Sequence, residues 1–259
     1  MTRLGVLGWP VAHSRSPRMH NAALRYVGLD GWRYQLLPVG PELFDEVVRA
    51  LPAAGFRGAN VTIPHKQAVI ERLDAVDADA LRAHAVNTLA RDGERLVGSN
   101  TDVAGVRSAI GEVGLEPRGA NVVILGGGGS ARAAAVALAG SHLTFVSRHP
   151  EDDDLPGAVI GWSDPALPGL IRSADLLLNA TPLGRKEEMP IRPAALPKDG
   201  AVIDLVYVTG GTPLVRKARS LGLRTADGWT VLLAQGAASF ETWTGKAAPL
   251  VAMRHTLAP

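Results

Sequence analysis

The feature that most constrains the fold is an apolar run followed at once by four glycines. Residues 121–125 read NVVIL, the pattern of a parallel strand that is buried on both faces. The glycines open GGGGSA (126–131), and the alanine-rich stretch that follows, to about residue 139, predicts a helix. Gly126, Gly128 and Ala131 fit the pattern G-x-G-x-x-A between a strand and a helix, which indicates a dinucleotide-binding turn.

Each of the three small residues is needed at its position in this turn for a physical reason. The first glycine forms the tight turn, the second lets the backbone approach a pyrophosphate, and the small third residue lets helix and strand pack closely. The N–H groups at the start of the helix then face the phosphates. No Lys-Ser or Lys-Thr pair follows the glycines, which excludes the phosphate loop of nucleoside triphosphatases.

The residues after the next predicted strand, 143–146, bear on which dinucleotide binds. NAD-binding turns place an acidic residue about 20 positions further on, whereas here the strand is followed by Ser147, Arg148 and His149. Arg148 offers a planar guanidinium to a ribose 2′-phosphate, which favours NADP. The acidic run 151–154 follows directly and would repel that phosphate if it points inward, so NAD stays the alternative.

Apolar runs alternate with helix-like segments along the rest of the chain, which is typical of α/β domains. In the first third we predict a parallel sheet with strands at 4–8, 34–39, 59–63 and 86–90, and helices at 17–27 and 41–51. Later apolar runs lie at 158–160, 175–178 and 201–204, and we expect two helices at 231–244 and 250–257. The sequence therefore predicts two α/β domains.

Composition excludes several classes of function. The 259 residues include no cysteine, which excludes disulfides, thiolate metal sites and cysteine nucleophiles, and the 7 histidines are scattered, so we expect no metal site. A formal net charge of +2 without a dense basic patch argues against nucleic acid as a partner. The uncharged stretches are too short to span a membrane and residues 1–10 lack the apolar core of a signal peptide, so we expect a cytoplasmic protein.

Polar side chains cluster where predicted strands end. They form HSRSP with Ser14 and Ser16, NVTIPHK with Asn60, Thr62, His65 and Lys66, AVNT with Asn87 and Thr88, and NTD with Asn100, Thr101 and Asp102. Taken singly, each has a structural explanation, because Ser16 and Asp102 could cap helices and Asn87 could lie in a turn. Strand ends are, however, where open α/β sheets bind ligands, which favours a ligand site.

Eight segments resemble, in this order along the chain, the shikimate dehydrogenase family. They are GWPVAHSRSPRMHN, GANVTIPHK, AVNT, GSNTD, GGGGSA, NATPLG, DLVY followed by TPL, and DGWTVLLAQGAASFETWTG, and the resemblance as a whole covers residues 4 to 246. The resemblance implies a substrate-binding α/β domain at 1–103, an NADP-binding Rossmann domain at 104–236, and C-terminal helices at 237–259 that pack back on the first domain. It also implies the reversible reduction of 3-dehydroshikimate to shikimate by NADPH, a step of chorismate and aromatic amino-acid biosynthesis.

The resemblance also implies roles for individual residues. Lys66 matches the family's catalytic lysine, and Asp102 matches the aspartate beside it. The residues that match substrate contacts are Ser14, Ser16, Thr62, Asn87, Asp102, Tyr207 and Gln235, the two serines being those that hold the substrate's carboxylate. The residues that match cofactor contacts are Gly126, Gly127, Gly128, Gly129, Ser130, Ser147, Arg148, His149, Leu205 and Gly228.

Several positions depart from the family pattern. Val103 follows NTD where the family usually has glycine, SRHPEDD (147–153) replaces an Asn-Arg-Thr loop, Arg185 follows NATPLG, and Thr230 and Val231 replace a glycine and a methionine. A quinate or aminoshikimate dehydrogenase of the same family is one alternative function, and a non-catalytic dinucleotide-binding regulator is another. The expected partners are small molecules, and the sequence is compatible with a monomer or a homodimer.

Overall fold

The apolar runs become strands, and amphipathic segments between them become helices. The computed structural model describes residues 1–152 and 154–257. Its strands are β1 (Thr2–Gly8), β2 (Trp32–Pro38), β3 (Phe56–Val61), β4 (Ala75–Val76), β5 (Thr88–Asp92), β6 (Arg95–Ser99), β7 (Asn121–Leu125), β8 (His142–Ser147), β9 (Ala158–Gly161), β10 (Leu176–Asn179), β11 (Ala201–Asp204) and β12 (Arg224–Ala226). Its α-helices are α1 (Ser16–Tyr26), α2 (Phe44–Ala50), α3 (Ala78–Ala83), α4 (Asp102–Glu112), α5 (Gly129–Ala137), α6 (Leu167–Ser173), α7 (Pro213–Ser220), α8 (Gly228–Thr244) and α9 (Leu250–Leu257).

The chain divides into two compact units. Met1–Ala104 forms the first unit together with the segment from Leu233 on, and Gly105–Leu232 forms the second. The boundaries therefore fall within α4 and α8. Of the helices in the described part of the chain, none combines the length and the hydropathy that crossing a bilayer requires.

The sheet of the first unit is mixed. Among the described residues its strands lie in the order β2-β1-β3-β5-β6-β4, and β1 pairs in parallel with β2 and β3, whereas β5 runs antiparallel to β3 and β6. The expectation of a wholly parallel sheet is therefore wrong. The antiparallel β5–β6 pair follows from the turn after β5, where Asp92 pairs with Arg95 and Gly93 has a φ of +61°. A two-residue loop joins antiparallel strands, since parallel strands need a long crossover.

Two glycines let α8 pack closely within the first unit. A Cβ on Gly58 of β3 would lie 2.3 Å from Nε1 of Trp243. The indole N–H of Trp243 donates to the carbonyl of Leu89 at 2.8 Å. A Cβ on Gly236 would lie 2.1 Å from Cε of the buried Met19 in α1. The helix is thus held against both the sheet and α1, and its Ser239 contacts Asn60 near the carboxyl end of β3 and Thr88 at the amino end of β5.

The second unit has a wholly parallel sheet in the order β12-β11-β10-β7-β8-β9. Counted from β7, this is the 3-2-1-4-5-6 order of dinucleotide-binding sheets. The side chains of β7 alternate between two buried clusters, with Val122 and Ile124 in one and Val123 and Leu125 in the other. Burial on both faces explains the uninterrupted apolar run and confirms the predicted α/β class. The strand order reverses between β7 and β10, the point where such sheets bind ligands.

Candidate active site

Lys66 and Asp102 form a polar pair in the first unit. Lys66 lies in the segment after β3, and Asp102 is the first residue of α4. The Lys66 ammonium donates to the Asp102 carboxylate, with Nζ 2.5 Å from Oδ2. The two side chains are 12% and 15% exposed, so the pair is largely shielded from water but reachable by a bound molecule. An ammonium held in this way can donate a proton to an oxygen atom placed beside it.

The backbone around Lys66 is fixed on both sides. The Lys66 carbonyl accepts the N–H of Val86 at 2.7 Å. The preceding residue, His65, is buried and stacks on Phe44 with the ring centroids 4.0 Å apart. Its Nε2 lies 2.7 Å from the carbonyl oxygen of Val39. His65 therefore anchors the segment that carries Lys66.

Asn87 holds the second oxygen of the Asp102 carboxylate. Its Nδ2 donates to Oδ1 of Asp102 at 2.8 Å, while its own Oδ1 accepts the backbone N–H of Thr101 at 2.7 Å. A backbone N–H only donates and an ionised carboxylate only accepts, so the Asn87 amide has a single favourable orientation. Asp102 thus directs Oδ1 to Asn87 and Oδ2 to Lys66.

Three of the predicted substrate contacts lie at the carboxyl ends of neighbouring strands. Ser14 and Ser16 follow β1, and Oγ of Ser14 accepts the N–H of Ser16, the first residue of α1, at 3.3 Å. Thr62 follows β3, and its N–H donates to the carbonyl of Leu7 at 2.8 Å. Gly8 permits this approach, because a Cβ there would lie 2.3 Å from Cγ2 of Thr62. Since β1 and β3 are paired, the two segments lie side by side.

Gln235 and Tyr207, also predicted to contact substrate, lie in different units. Gln235 is a buried residue of α8 in the first unit, and its carbonyl accepts the Ser239 hydroxyl at 3.0 Å. Tyr207 follows β11 in the second unit, where its ring packs on Trp229 with the centroids 4.9 Å apart. The first unit therefore contains Ser14, Ser16, Thr62, Lys66, Asn87, Asp102 and Gln235.

The glycine-rich turn joins β7 to α5 in the second unit. Gly126 has a φ of +108°, and a Cβ there would lie 3.3 Å from Cγ2 of Thr181, just after β10. Gly128 precedes α5, and nothing in the described part of the chain lies within 4 Å of a Cβ built on it. Internal packing therefore does not require glycine at 128, as expected where backbone approaches a bound molecule. Gly127, Gly129 and Ser130 complete the turn, and the first N–H groups of α5 offer donors to an anion.

The end of β8 carries the residues predicted to distinguish NADP from NAD. Ser147 is buried, and its Oγ accepts the N–H of His149 at 3.2 Å. Arg148 and His149 are exposed, so a cation stands at the end of this strand. Within the acidic run that follows, residues 151 and 152 are exposed, and residue 153 lies outside the described residues.

A buried carboxylate fixes the backbone at the end of β11. Oδ1 of Asp204 accepts Nδ2 of Asn179 at 2.9 Å and the N–H of Val206 at 3.0 Å. Its Oδ2 accepts the Thr212 hydroxyl at 2.6 Å. Burial raises the pKa of Asp204 to about 6, although these hydrogen bonds favour the charged form. The cluster holds the backbone of Leu205, a predicted cofactor contact.

Gly228 lets α8 begin against the same loop. A Cβ there would lie 2.5 Å from the carbonyl oxygen of Leu205 and 2.7 Å from the backbone nitrogen of Tyr207. The next residue, Trp229, donates its indole N–H to the carbonyl of Val208 at 3.2 Å. Close packing therefore accounts for the glycine, and its contact with a cofactor stays a prediction.

Sequence reasoning missed the roles of two buried polar groups. One is the Asp204 cluster, and the other surrounds Asn87 and consists of Asn60, Thr88, Thr101 and Ser239. Asn179 and Asp204 stand directly after apolar runs. Because buried polar groups must be paired, their position at the ends of such runs was the available signal. Sets of three or more His, Cys, Asp or Glu side chains placed to hold a metal ion do not occur among the described residues.

Two protein-family models and a set of named relatives match this chain. Residues 6–89 match the family model described as the shikimate dehydrogenase substrate binding domain, and residues 228–258 match that of the shikimate 5′-dehydrogenase C-terminal domain. A Moorella thermoacetica protein named shikimate dehydrogenase (NADP(+)) is 42% identical over 98% of this chain and 92% of its own length. The chain belongs to the shikimate dehydrogenase family.

Solved structures of the shikimate dehydrogenase family have the same fold. Shikimate 5-dehydrogenase from Thermus thermophilus, in complex with NADP(H) and shikimate, has a TM-score of 0.88 and 35% identity, covering 99% of this chain and 98% of that one. The enzyme from Listeria monocytogenes, in complex with shikimate and NAD, has a TM-score of 0.85 and 29% identity, covering 98% and 96%. These matches confirm the family resemblance found in the sequence and the α/β fold that it implied.

Proposed function

We propose that this chain is an NADP-dependent shikimate dehydrogenase, which interconverts 3-dehydroshikimate and shikimate. The observation that carries the proposal is the Lys66–Asp102 ion pair with the Asn87 amide held against it. Relatives named shikimate dehydrogenase (NADP(+)) support the same activity. The Moorella thermoacetica protein among them is 42% identical over 98% of this chain.

The first unit complements the chemistry of shikimate, which has one carboxylate and three ring hydroxyls. The Ser14 and Ser16 hydroxyls donate to the carboxylate at the start of α1, where backbone N–H groups also favour an anion. Thr62, Asn87 and Gln235 offer one hydroxyl and two amide groups to the ring hydroxyls. Tyr207 is the remaining residue that the family resemblance assigns to the substrate.

Lys66 acts as the acid and base of the reaction. When the ketone is reduced, negative charge develops on its oxygen, and the Lys66 ammonium donates a proton to that oxygen. In the opposite direction a neutral Lys66 accepts the proton of the hydroxyl group. Asp102 orients Lys66 through Oδ2, and Asn87 orients Asp102 through Oδ1. NADPH, when bound, supplies the hydride.

The residues of the second unit fit a dinucleotide phosphate. The open space at Gly128 and the N–H groups of α5 suit a pyrophosphate. Arg148, flanked by Ser147 and His149, suits a 2′-phosphate, because a guanidinium binds phosphate oxygens in a fork. Leu205 and Gly228 are assigned to the nicotinamide end. On this proposal the first unit binds substrate and the second binds NADP.

Steady-state rates with shikimate or quinate, each with NADP or NAD, test the proposal. We expect the highest kcat/KM for shikimate with NADP. Turnover of quinate alone would identify the family's alternative activity, and turnover with NAD alone would overturn the cofactor assignment. Binding of NADP without turnover of any substrate would indicate a non-catalytic regulator instead.

A further inference from the structure

Three hydroxyl groups meet in the buried interior behind Asn87. Oγ1 of Thr88 lies 3.0 Å from Oγ1 of Thr101, and Oγ of Ser239 lies 2.9 Å from each of them. The three side chains come from β5, the residue before α4, and α8, and the residues are 0%, 7% and 0% exposed. We name Thr88, Thr101 and Ser239 the hydroxyl triangle. Burying three hydroxyls is costly unless each is paired.

The partners of the triangle determine the direction of its hydrogen bonds. Oδ1 of Asn60 accepts the Tyr34 hydroxyl at 2.7 Å, which turns Nδ2 of Asn60 towards the triangle. That Nδ2 donates to Thr88 Oγ1 at 3.1 Å and to Ser239 Oγ at 3.0 Å. An amide nitrogen only donates, so hydroxyl protons are directed away from Asn60.

On the opposite side the triangle meets an acceptor. Oδ1 of Asn87 lies 2.9 Å from Thr88 Oγ1 and 3.1 Å from Thr101 Oγ1. Both threonines therefore donate to Asn87, while the single Ser239 proton has three acceptors within reach, Thr88 Oγ1, Thr101 Oγ1 and the Gln235 carbonyl. Such chains polarise each bond along their length, so each hydroxyl strengthens the next donor.

We propose that the hydroxyl triangle is a positioning device for the acid–base pair: it holds the Asn87 amide with Nδ2 towards Asp102, and thereby holds Asp102 on Lys66. Neither threonine nor Ser239 touches the reacting atoms, so they act through Asn87. The inference rests on the proposed function, and it adds that α8 contributes to catalysis through Ser239 as well as to substrate binding through Gln235.

The test uses variants matched in shape or in environment. Thr101→Val removes a donor to Asn87 with little change in volume, and Thr101→Ser retains it. Ser239→Ala removes one of the three hydroxyl groups of the triangle. Thr242→Ala is the control for Ser239→Ala. Like Ser239, Thr242 donates its hydroxyl to the carbonyl four residues earlier in α8, that of Ala238 at 2.9 Å, but Thr242 is exposed.

We expect Thr101→Val and Ser239→Ala to lower kcat roughly three- to tenfold, the equivalent of one ordinary hydrogen bond, with the KM for NADP unchanged. Thr101→Ser should restore kcat, and Thr242→Ala should leave it unaltered. In an Asn87→Ala background, Ser239→Ala should have no further effect on kcat, since it acts through Asn87.

An unchanged kcat in Thr101→Val and Ser239→Ala would overturn the proposal, as would full additivity with Asn87→Ala. A loss of kcat that Thr101→Ser does not restore would also overturn it. The Asn87 side-chain amide resonances, assigned with Asn87→Ala, are a readout that needs no turnover. They should move in Ser239→Ala and not in Thr242→Ala, and their failure to move would reject the positioning role even if the chain had a different activity. If Thr101→Val does not fold, Ser239→Ala decides.

Discussion

Lys66 and Asp102 are 36 residues apart in the chain, yet Nζ of one lies 2.5 Å from Oδ2 of the other. The contact depends on β3 and β5 being neighbours in the sheet, because Lys66 follows β3 and Asn87, which precedes β5, holds Asp102. An acid–base group that is already oriented needs little rearrangement when substrate binds.

Replacement of Lys66 should therefore affect chemistry far more than binding. We expect Lys66→Ala to lower kcat by about 10²- to 10⁴-fold, the usual contribution of a positioned acid or base, while the Kd for shikimate changes little. Steady-state rates and calorimetric titration measure the two quantities. Lys246→Ala, which removes an exposed lysine of the same unit, should match the wild type. A normal kcat in Lys66→Ala would remove Lys66 from the proposed mechanism.

The two glycines of the β7–α5 turn should respond differently to alanine. Gly126 has a φ of +108°, so Gly126→Ala should reduce the free energy of unfolding by roughly 1 kcal/mol or more. Gly128 has a φ of −77° and open space around its Cβ, so Gly128→Ala should leave stability within about 0.5 kcal/mol. It should nevertheless raise the KM for NADP about tenfold or more, because the methyl group occupies the approach of the pyrophosphate. Chemical denaturation and cofactor kinetics separate these effects, and a stable Gly128→Ala with normal KM would contradict the phosphate assignment.

The central part of the second unit could be predicted from sequence because its constraints are local. A strand buried on both faces must be apolar throughout, as Val122 to Leu125 are, and a backbone with the φ of Gly126 requires glycine. The start of α8 was harder to predict from the sequence. The helix begins at Gly228 rather than at residue 231, since Oδ1 of Asp227 accepts the N–H of Trp229 at 3.1 Å in a stretch that looks like a turn.

The candidate site was predictable as a set of residues but not as an arrangement. Motifs identified Lys66, Asn87 and Asp102, but the contacts among them follow from the strand order of the first sheet. That order includes the hairpin from β5 to β6, whose short second strand, Arg95–Ser99, has too few apolar residues to be recognised. Ser239 could not be assigned a role, because the family resemblance predicts that the C-terminal helices pack on the first domain but not which side chains Ser239 contacts there.

The exposed cation at the end of β8 should decide the preference for NADP. We expect Arg148→Ala to raise the KM for NADP about 10- to 100-fold, the value of a charge-assisted hydrogen bond, and to leave the KM for NAD nearly unchanged, since NAD has no 2′-phosphate. Initial rates with each cofactor provide the measurement. Arg118→Ala, at another exposed site of the second unit, controls for the loss of a positive charge. An equal rise in KM for NADP and for NAD would show that Arg148 does not bind the 2′-phosphate.

His20 should make the protein sensitive to acid. It is fully buried in α1, stacks on Tyr34 with the centroids 4.5 Å apart, and neither ring nitrogen has a hydrogen-bond partner among the described residues. Burial lowers the pKa of His20 from 6.5 to about 3, because the charged imidazolium would lose its hydration. Below pH 6.5 the unfolded chain therefore binds a proton that the folded chain does not, and stability falls as the pH decreases towards 3.

Between pH 6.5 and about pH 5 this difference should cost roughly 1.6 kcal/mol of unfolding free energy, because the slope rises from about 0.7 kcal/mol per pH unit at pH 6.5, where half of the unfolded chains are protonated, towards about 1.4. Urea denaturation of the wild type and of His20→Leu at both pH values measures it, and the carboxylates common to both proteins cancel in the comparison. We expect the wild type to lose about 1.6 kcal/mol more than His20→Leu over this interval. Equal losses in the two proteins would mean that His20 is protonated in the folded state, which would require a partner for its charge.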